Sequence, residues 1–461
     1  MLPDPGSFRD PGNRVFYDGE RVCRGLDSRS AADWRAVSSR GFFTRRMAQG
    51  SIVRTTALPA DDPALQGWEA ALVHERIPFL SYPFEWSCGM LQDAALLQLD
   101  LLLEALAEDV SLKDATPYNI QWNGPAPVFI DIPSFEPLRP GSVWTGYRQF
   151  CELFLYPLML QAYKGIPFRP WLRGAIDGIR AADCARVFTW ADLLRPGVLK
   201  HVWLQSRLQA GLADSQADLG GEIRDAGFHK GLIEANLRGL RGLVAGLSWS
   251  PAEAGWAAYG GGTHYSAEDR EKKTAFIRKA LGSRAWPLAW DLGCNTGEFS
   301  RLAAADCRCV VAMDSDASVI ETLYRSLKAG PRLPILPLQV DFADPSPGLG
   351  WRGRERRALS ERGRPDLTLA LALIHHLCLG SNVPLAEVLD WLAGLGGSLI
   401  VEFVDKSDPM ARRLMRNKGD IFPGYSREAF ERGLETRFTV LDRLALVSVD
   451  RVLYFARPRA G

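Results

Sequence analysis

Leu288-Ala-Trp-Asp291-Leu292-Gly293-Cys294-Asn295-Thr296-Gly297-Glu298-Phe299 is the stretch from which the fold is read. An apolar run carries an acid near its end, and two glycines then bracket a tight turn before a helix. Glycine suits such a turn because the backbone bends sharply and a ligand can approach without a Cβ in its way. Asn295 stands between the glycines, and asparagine is among the few other residues that tolerate a left-handed backbone. The spacing predicts a strand over Leu288–Leu292, a ligand-binding turn, and a helix over Phe299–Ala305. Several nucleotide-binding folds share turns of this kind, so its neighbours decide the reading.

Further strand-like runs follow at Cys309–Met313, Ile335–Val340, Leu367–Leu373 and Leu399–Val404, with helical stretches at Ala317–Lys328 and Leu385–Leu395 between them. Strand and helix in alternation predict an α/β domain, a parallel sheet covered on both faces. After Tyr425 come a helix and two strands, Arg437–Val447 and Arg451–Ala456, close enough in sequence to pair antiparallel. Acids recur at the first three strand ends: Asp291, Asp314 and Asp341. Asp316 is placed to cap the helix starting at Ala317. The fourth strand runs into Ile374-His375-His376-Leu377, and the fifth ends at Glu402-Phe403-Val404-Asp405-Lys406.

The glycine turn after an acid resembles motif I of class I, Rossmann-like methyltransferases, with Asn295 replacing the middle glycine. The resemblance implies S-adenosyl-L-methionine as cofactor and S-adenosyl-L-homocysteine as product. It places the cofactor on Asp291, Gly293, Cys294, Asn295, Gly297, Asp314, Ser315, Asp341, Phe342 and Leu371. Asp314 is expected to bond the ribose hydroxyls, and Asp341 the adenine amino group, with Phe342 packed on the ring. His375 or His376 is expected beside the transferring methyl group as a general base, since neutral imidazole suits proton transfer near pH 7. The bland alternative has them bonding backbone at the strand end. Glu402 is a further candidate for contacting the acceptor, or else it pairs with Lys406 or an arginine. Tyr259 and Tyr265, with Trp256 and His264, precede the fold and either close over the sulfonium, a cation that aromatic faces attract, or pack a lid. Arg352, Arg354, Arg356, Arg357, Arg362 and Arg364 form a solvated face or meet an anionic acceptor. A dehydrogenase would favour a tight GxGxxG, which is absent.

The N-terminal half reads differently. Arg14–Tyr17, Asp18-Gly19 and Arg21–Arg24 give a hairpin signal, Met90–Glu108 a helix, Pro127–Ile132 a strand, and residues 145–245 mostly helix. Lys113-Asp114-Ala-Thr-Pro-Tyr-Asn119 and Val128-Phe-Ile-Asp131 resemble the catalytic and metal-binding segments of kinase-like phosphotransferases. That resemblance gives Asp114 the orientation of a hydroxyl, and Asn119 and Asp131 magnesium ligation. No lysine precedes Lys113, so the phosphate-pairing lysine has no counterpart beyond Arg24 or Arg54, and no convincing glycine-rich loop is present. The expectation is a degenerate kinase-like domain for acceptor binding or assembly.

The 461 residues are expected to divide into residues 1–245, kinase-like and mostly helical α+β, and residues 246–461, the methyltransferase domain. With 47% apolar residues the chain has ample core material, and a formal charge of +1 makes nucleic acid a poor partner. The start at Met1 lacks the basic-then-apolar run of a secretory signal, and no stretch suits a membrane span, so a cytoplasmic protein is expected. The eight cysteines show no CxxC pair, and no metal is assigned. Over its full length the chain resembles bacterial methyltransferases named by analogy with host-specific nodulation proteins, through Lys113–Asn119, Ala370–His376 and Glu402–Lys406. This implies methyl transfer to an oxygen or nitrogen of a small molecule, saccharide or specialised metabolite. A bifunctional kinase–methyltransferase using ATP and a non-catalytic cofactor-binding protein remain as alternatives. The segment from Ala245 to Tyr265, with Gly260–Gly262, is expected to act as a lid, the N-terminal half helping to cover the acceptor.

Overall fold

The structure, a computed structural model, describes residues 1–139, 141–213, 230–250, 265–418, 421–447 and 450–459. The expectations attached to Trp256, Tyr259, Gly260–Gly262 and His264 lie outside the described residues. Two compact units are present: residues 1–122, 126–250 and 349–356 in the first, residues 123–125, 251–348 and 357–461 in the second.

In the first unit a five-stranded antiparallel sheet runs in the order β1 (Leu2–Pro3), β2 (Asn13–Asp18), β3 (Arg21–Leu26), β5 (Ala70–His74), β4 (Thr55–Ala57). The expected hairpin is β2–β3, with Asp18 opposite Arg21 and Gly19 at φ 58° in the turn. The helix expected over Met90–Glu108 spans Cys88–Ala107, capped by Ser87 accepting from the Met90 N–H. It is apolar on most of its surface because it is buried on most of its surface. Four short strands follow, β6 (Val110–Leu112) paired with β9 (Phe135–Pro137) and β7 (Ile120–Asn123) paired with β8 (Ala126–Phe129). The described elements from Tyr147 to Gly246 are all helical.

The second unit holds a seven-stranded sheet in the order β12-β11-β10-β13-β14-β16-β15. Its strands are β10 (Ala289–Leu292), β11 (Val310–Asp314), β12 (Ile335–Gln339), β13 (Leu367–Ala370), β14 (Ser398–Val404), β15 (Phe438–Leu446) and β16 (Arg451–Pro458). Six run parallel, and β16 alone is antiparallel, inserted between β14 and β15 rather than at the edge. This is the Rossmann-like α/β arrangement expected from the sequence. The chain leaves β10 for β11 on one side and returns to β13 on the other. That reversal of strand order opens a crevice at the carboxyl ends of the strands.

Local chemistry explains the boundaries. Asp316 accepts from the Ser318 N–H at 2.7 Å, capping the Ala317–Ala329 helix as expected. That helix buries Val319, Ile320, Leu323, Tyr324 and Leu327, a three-and-four spacing that lays one face on the sheet. The fourth strand is shorter than the expected Leu367–Leu373. It stops at Ala370 because Ala372 takes φ 51°, which no strand continues through. No helix among the described residues is long and apolar enough to cross a membrane.

Gly297 opens the Glu298–Ala303 helix at φ 83°, and a Cβ there would lie 2.6 Å from Leu323 Cδ1. Gly297→Ala should therefore destabilise the chain by about 2 kcal/mol in urea unfolding, from left-handed strain plus overpacking. Gly239→Ala, in a helix with nothing within 4 Å of the new methyl, should be neutral or stabilise by about 0.5–1 kcal/mol. Equal effects at the two positions would contradict the role given to Gly297.

Candidate active site

A cavity of about 510 Å³ lies at the carboxyl ends of β10, β11 and β13 in the second unit. Small-molecule sites fall in this size range and favour this position in open α/β sheets. Gly293, Cys294, Asn295 and Thr296 of the turn line it, with Gly293 at φ 77° and Asn295 at φ 48°. Asparagine thus occupies the left-handed position at which glycine would be free. The Gly293 and Cys294 N–H groups donate to the Met313 carbonyl, binding the turn to the end of β11.

The three strand-end acids all line this cavity, each in a different setting. Asp314 spends both oxygens on backbone, accepting from the N–H of Asn295 and of Asp316 at 3.0 Å each. Burial raises its pKa against those bonds. Asp291 is buried and accepts from Ser300 Oγ at 2.5 Å. Burial pushes its carboxyl up to about 6, with Asp314 adding to the rise and Ser300 and Lys273 opposing it. Asp341 is exposed and accepts from the Ala343 N–H at 2.9 Å. Phe342 beside it packs on Trp391, ring centroids 5.6 Å apart. Ser315 and Leu371 complete this side.

His375 and His376 follow Ala372, the strained residue, and both line the cavity with their rings 4.2 Å apart. His375 is buried, and its Nδ1 has no hydrogen-bond partner in the protein. Burial, then His376 and Arg451, drive its pKa well below the ordinary value. Burial and Arg451 lower His376 to about 4. Both rings are therefore neutral at physiological pH.

Glu402, expected to contact an acceptor, is fully buried and is not among the residues lining the cavity. It does pair with an arginine, and with a lysine that is not Lys406. Its Oε2 accepts from Lys273 Nζ at 2.7 Å and its Oε1 from Tyr265 Oη at 2.5 Å, while Arg451 Nη1 lies 3.6 Å from Oε1. Burial alone would raise this carboxyl, but the charges of Lys273 and Arg451 and the two hydrogen bonds bring it below its usual range. Arg451 also donates to Tyr265 Oη and, at 2.8 Å, to Asp408, the cap of the Pro409–Met415 helix. Lys406 instead donates to the Phe422 carbonyl. Tyr265, Lys273 and Arg451 line the cavity, so Glu402 acts on it only through them. The Tyr265 ring, expected to meet a cation, already meets two: Lys273 Nζ at 4.7 Å and the Arg451 guanidinium at 4.8 Å from its centroid.

Lys273 and Arg451 are the residues that sequence reasoning missed. Lys273 sits in Glu268-Asp269-Arg270-Glu271-Lys272-Lys273, which looks solvated throughout. Its signal is spacing: Asp269, Lys273, Phe276, Ile277 and Ala280 form the buried face of the Ala267–Leu281 helix. None of the six arginines between Arg352 and Arg364 lines the cavity among the described residues.

Compared with known proteins, the chain is 34% identical over 455 residues to nodulation protein NoeA of Rhizobium meliloti (strain 1021). The match covers 97% of this chain and 94% of that protein. The chain belongs to the NoeA family. No protein-family model matches it. Among solved structures it is similar to the N-methyltransferase NodS from Bradyrhizobium japonicum WM9, at 15% identity and a TM-score of 0.32, covering 42% of this chain and 99% of that one. Magnesium protoporphyrin IX methyltransferase ChlM from Synechocystis PCC 6803 is similar over 41% of this chain and 84% of its own, with 17% identity and a TM-score of 0.30.

The first unit of this NoeA-family chain brings Asp114, Asn119 and Asp131 together around Ser134, another residue the sequence reading passed over. Ser134 Oγ lies 2.5 Å from Asp131 and 3.3 Å from both Asp114 and Asn119 Nδ2. Arg24, named as a substitute for the missing lysine, forms an ion pair with Asp131 at 2.8 Å. Burial, then the neighbouring Asp131, raise the pKa of Asp114. Arg54 lies 4.0 Å from Glu75 instead. No group of three His, Cys, Asp or Glu side chains among the described residues is placed to hold a metal ion. All eight cysteines are buried, and none forms a disulfide.

Lys273→Met would leave Glu402 charged, buried and short of one of its cations. Removing one partner of such a pair should cost about 3–5 kcal/mol of stability in urea unfolding. Lys273→Met combined with Glu402→Leu should recover much of that loss, because the orphaned charge is gone. A double variant as unstable as the sum of the singles would contradict the pairing.

Proposed function

We propose that the chain is an S-adenosylmethionine-dependent methyltransferase acting on an oxygen or nitrogen of a small molecule, saccharide or specialised metabolite. The observation that carries this reading is one cavity at the strand-order reversal, where the glycine turn and the acids of three successive strand ends converge. The residues fit the cofactor. Asp314 retains lone pairs beyond its two backbone bonds for ribose hydroxyls, exposed Asp341 suits an adenine amino group, and Gly293, Asn295 and Gly297 keep the turn open. When bound, the cofactor supplies an electrophilic methyl group on a sulfonium.

The chain's own residues then position the acceptor and handle its proton. His375 and His376 are the candidate bases, both neutral and on the cavity wall, His375 buried and His376 half-buried. Nδ1 of His375 is closed to solvent, so a contact of this ring with an acceptor would fall to its Nε2. Much of the rate is expected from positioning, so loss of a base should remove only part of it.

For the first unit, the proposed role is acceptor binding or assembly by a degenerate kinase-like domain. Arg24 supports this, since it already neutralises the carboxylate that would ligate magnesium. The juxtaposition of Asp114, Asn119 and Asp131 favours a second reading, a kinase–methyltransferase, which requires magnesium-dependent ATP binding that Asp131→Asn abolishes. Calorimetry showing no such binding by the folded chain would remove it.

S-adenosylhomocysteine should bind the full chain in calorimetry, with affinity at least about tenfold weaker in Asp314→Ala, a loss of one to two hydrogen bonds to a charged group. Absence of binding, or an unchanged affinity in that variant, would overturn the reading. With a turned-over acceptor, His376→Ala should lower kcat by about 10²-fold if this ring is the base. The acid limb of turnover should then lie near the His376 value of about 4 rather than 6.5, because the ring stays unprotonated until the pH falls that far. Full turnover in both single histidine variants would exclude the base assignment.

A further inference from the structure

Thr189-Trp190-Ala-Asp192-Leu193-Leu194-Arg195-Pro196-Gly197-Val198-Leu199-Lys200 in the first unit has no part in the site above. It folds as two short helical segments, Trp190–Leu194 and Val198–Trp203, which pack on each other across a turn at Pro196 and Gly197 (φ 81°). The large apolar side chains here point outward: Trp190 is 77% exposed and Leu194 is 92% exposed. Leu199, Leu204 and Leu208 are also exposed along the second segment and the helix that continues it. Trp190 and Trp203, with ring centroids 6.4 Å apart, stand over a groove of about 360 Å³ lined by Phe188, Leu193, Val198 and Val202. Singly exposed leucines are ordinary, but exposed apolar residues gathered on one surface mark an interaction site.

Charge specifies the partner. Residues 180–208 carry Arg180, Arg186, Arg195, Lys200 and Arg207 against only Asp183 and Asp192, although the whole chain is near neutral at +1. All five cations are exposed. The two carboxylates offset part of this charge: buried Asp192 binds Lys164 and Arg195 and accepts from the Thr189 N–H, and Asp183 pairs with Arg180 and Arg186, which leaves Lys200 and Arg207 outside these pairs. His201 adds no charge, since burial lowers its pKa to about 4. Projecting tryptophan and leucine within a cationic rim match a bilayer boundary, where indole rings sit at the headgroups and lysine and arginine meet anionic lipid.

We propose that the Trp190–Leu208 surface docks this chain peripherally on a bilayer that carries anionic phospholipid. Trp190 and Leu194 enter the headgroup layer, and the surrounding arginines and Lys200 meet the phosphates. Binding is reversible and weakens with salt, because exposed charges are screened.

The test is flotation of the full chain with vesicles of phosphatidylcholine alone or mixed with phosphatidylglycerol. The wild type should float with the mixed vesicles, less so at high salt, and not with phosphatidylcholine alone. Trp190→Glu and Leu194→Glu, at exposed positions, should each reduce flotation about tenfold or more with unchanged circular dichroism and Tm. A wild type that fails to float, or variants that float as well as it does, would overturn the proposal. So would self-association of the wild type that Leu194→Glu abolishes in the absence of vesicle binding, which would make this face a contact between copies.

Discussion

A carboxylate withdrawn from water needs compensation from the protein itself, and Glu402 in the second unit receives it from two cations. The effective penalty for burying an ion is several kcal/mol, and it is offset only where geometry and hydrogen bonding are good. Here Lys273, Tyr265 and Arg451 meet that demand from two segments of the chain, the Ala267–Leu281 helix with the residue before its cap, and β16. Glu402 lies opposite Leu453 and Arg451 opposite Val404 in the β14–β16 register, so the two charges are diagonal neighbours on one face. Antiparallel insertion of β16 is therefore what delivers Arg451. Through Asp408 the same arginine holds the cap of a further helix. One buried charge thus fixes the wall of the cavity on which Tyr265, Lys273 and Arg451 stand.

The facing wall rests on a second constraint. Asp314 ties the glycine turn after β10 to the start of the helix after β11 by accepting a backbone N–H from each. A residue read as a ligand-binding acid is thereby also the brace of the turn that forms the site. The two roles are compatible because each carboxylate oxygen accepts more than one hydrogen bond. Strain has a place here too. Ala372 at φ 51° turns the chain out of β13, and the two histidines that follow reach the cavity. Left-handed backbone at a residue other than glycine costs free energy and persists where the surroundings impose it.

The α/β alternation was legible because buried parallel strands are short apolar runs and the helices between them keep a clear period. The Ala317–Ala329 helix and its Asp316 cap were read nearly to the residue for that reason. β13 was read too long, since Ala-Leu-Ala-Leu is as apolar in the strand as beyond it and composition does not encode the turn at Ala372. Among the site residues, those tied to local motifs were legible: Asp291, Gly293, Asn295, Asp314 and the histidines reach one cavity. Those whose place depends on distant pairing were not. Lys273 is hidden in a charged run, Arg451 faces its partner only through strand order, and Glu402 looks like a strand-end acid until its burial is known. Ser134 escaped notice likewise: Asp131 begins its own short helical turn, but Asp114 and Asn119 reach it from 20 and 15 residues earlier.

The crevice beside the β10 turn is the proposed cofactor pocket. A crystal structure of the full chain grown with S-adenosylhomocysteine tests it most directly. The ligand is expected in this cavity, its ribose on Asp314, its adenine beside Asp341 and Phe342, and its sulfur toward His375 and His376. Ligand bound elsewhere on the chain, or crystals that hold none at saturating concentration, would contradict it.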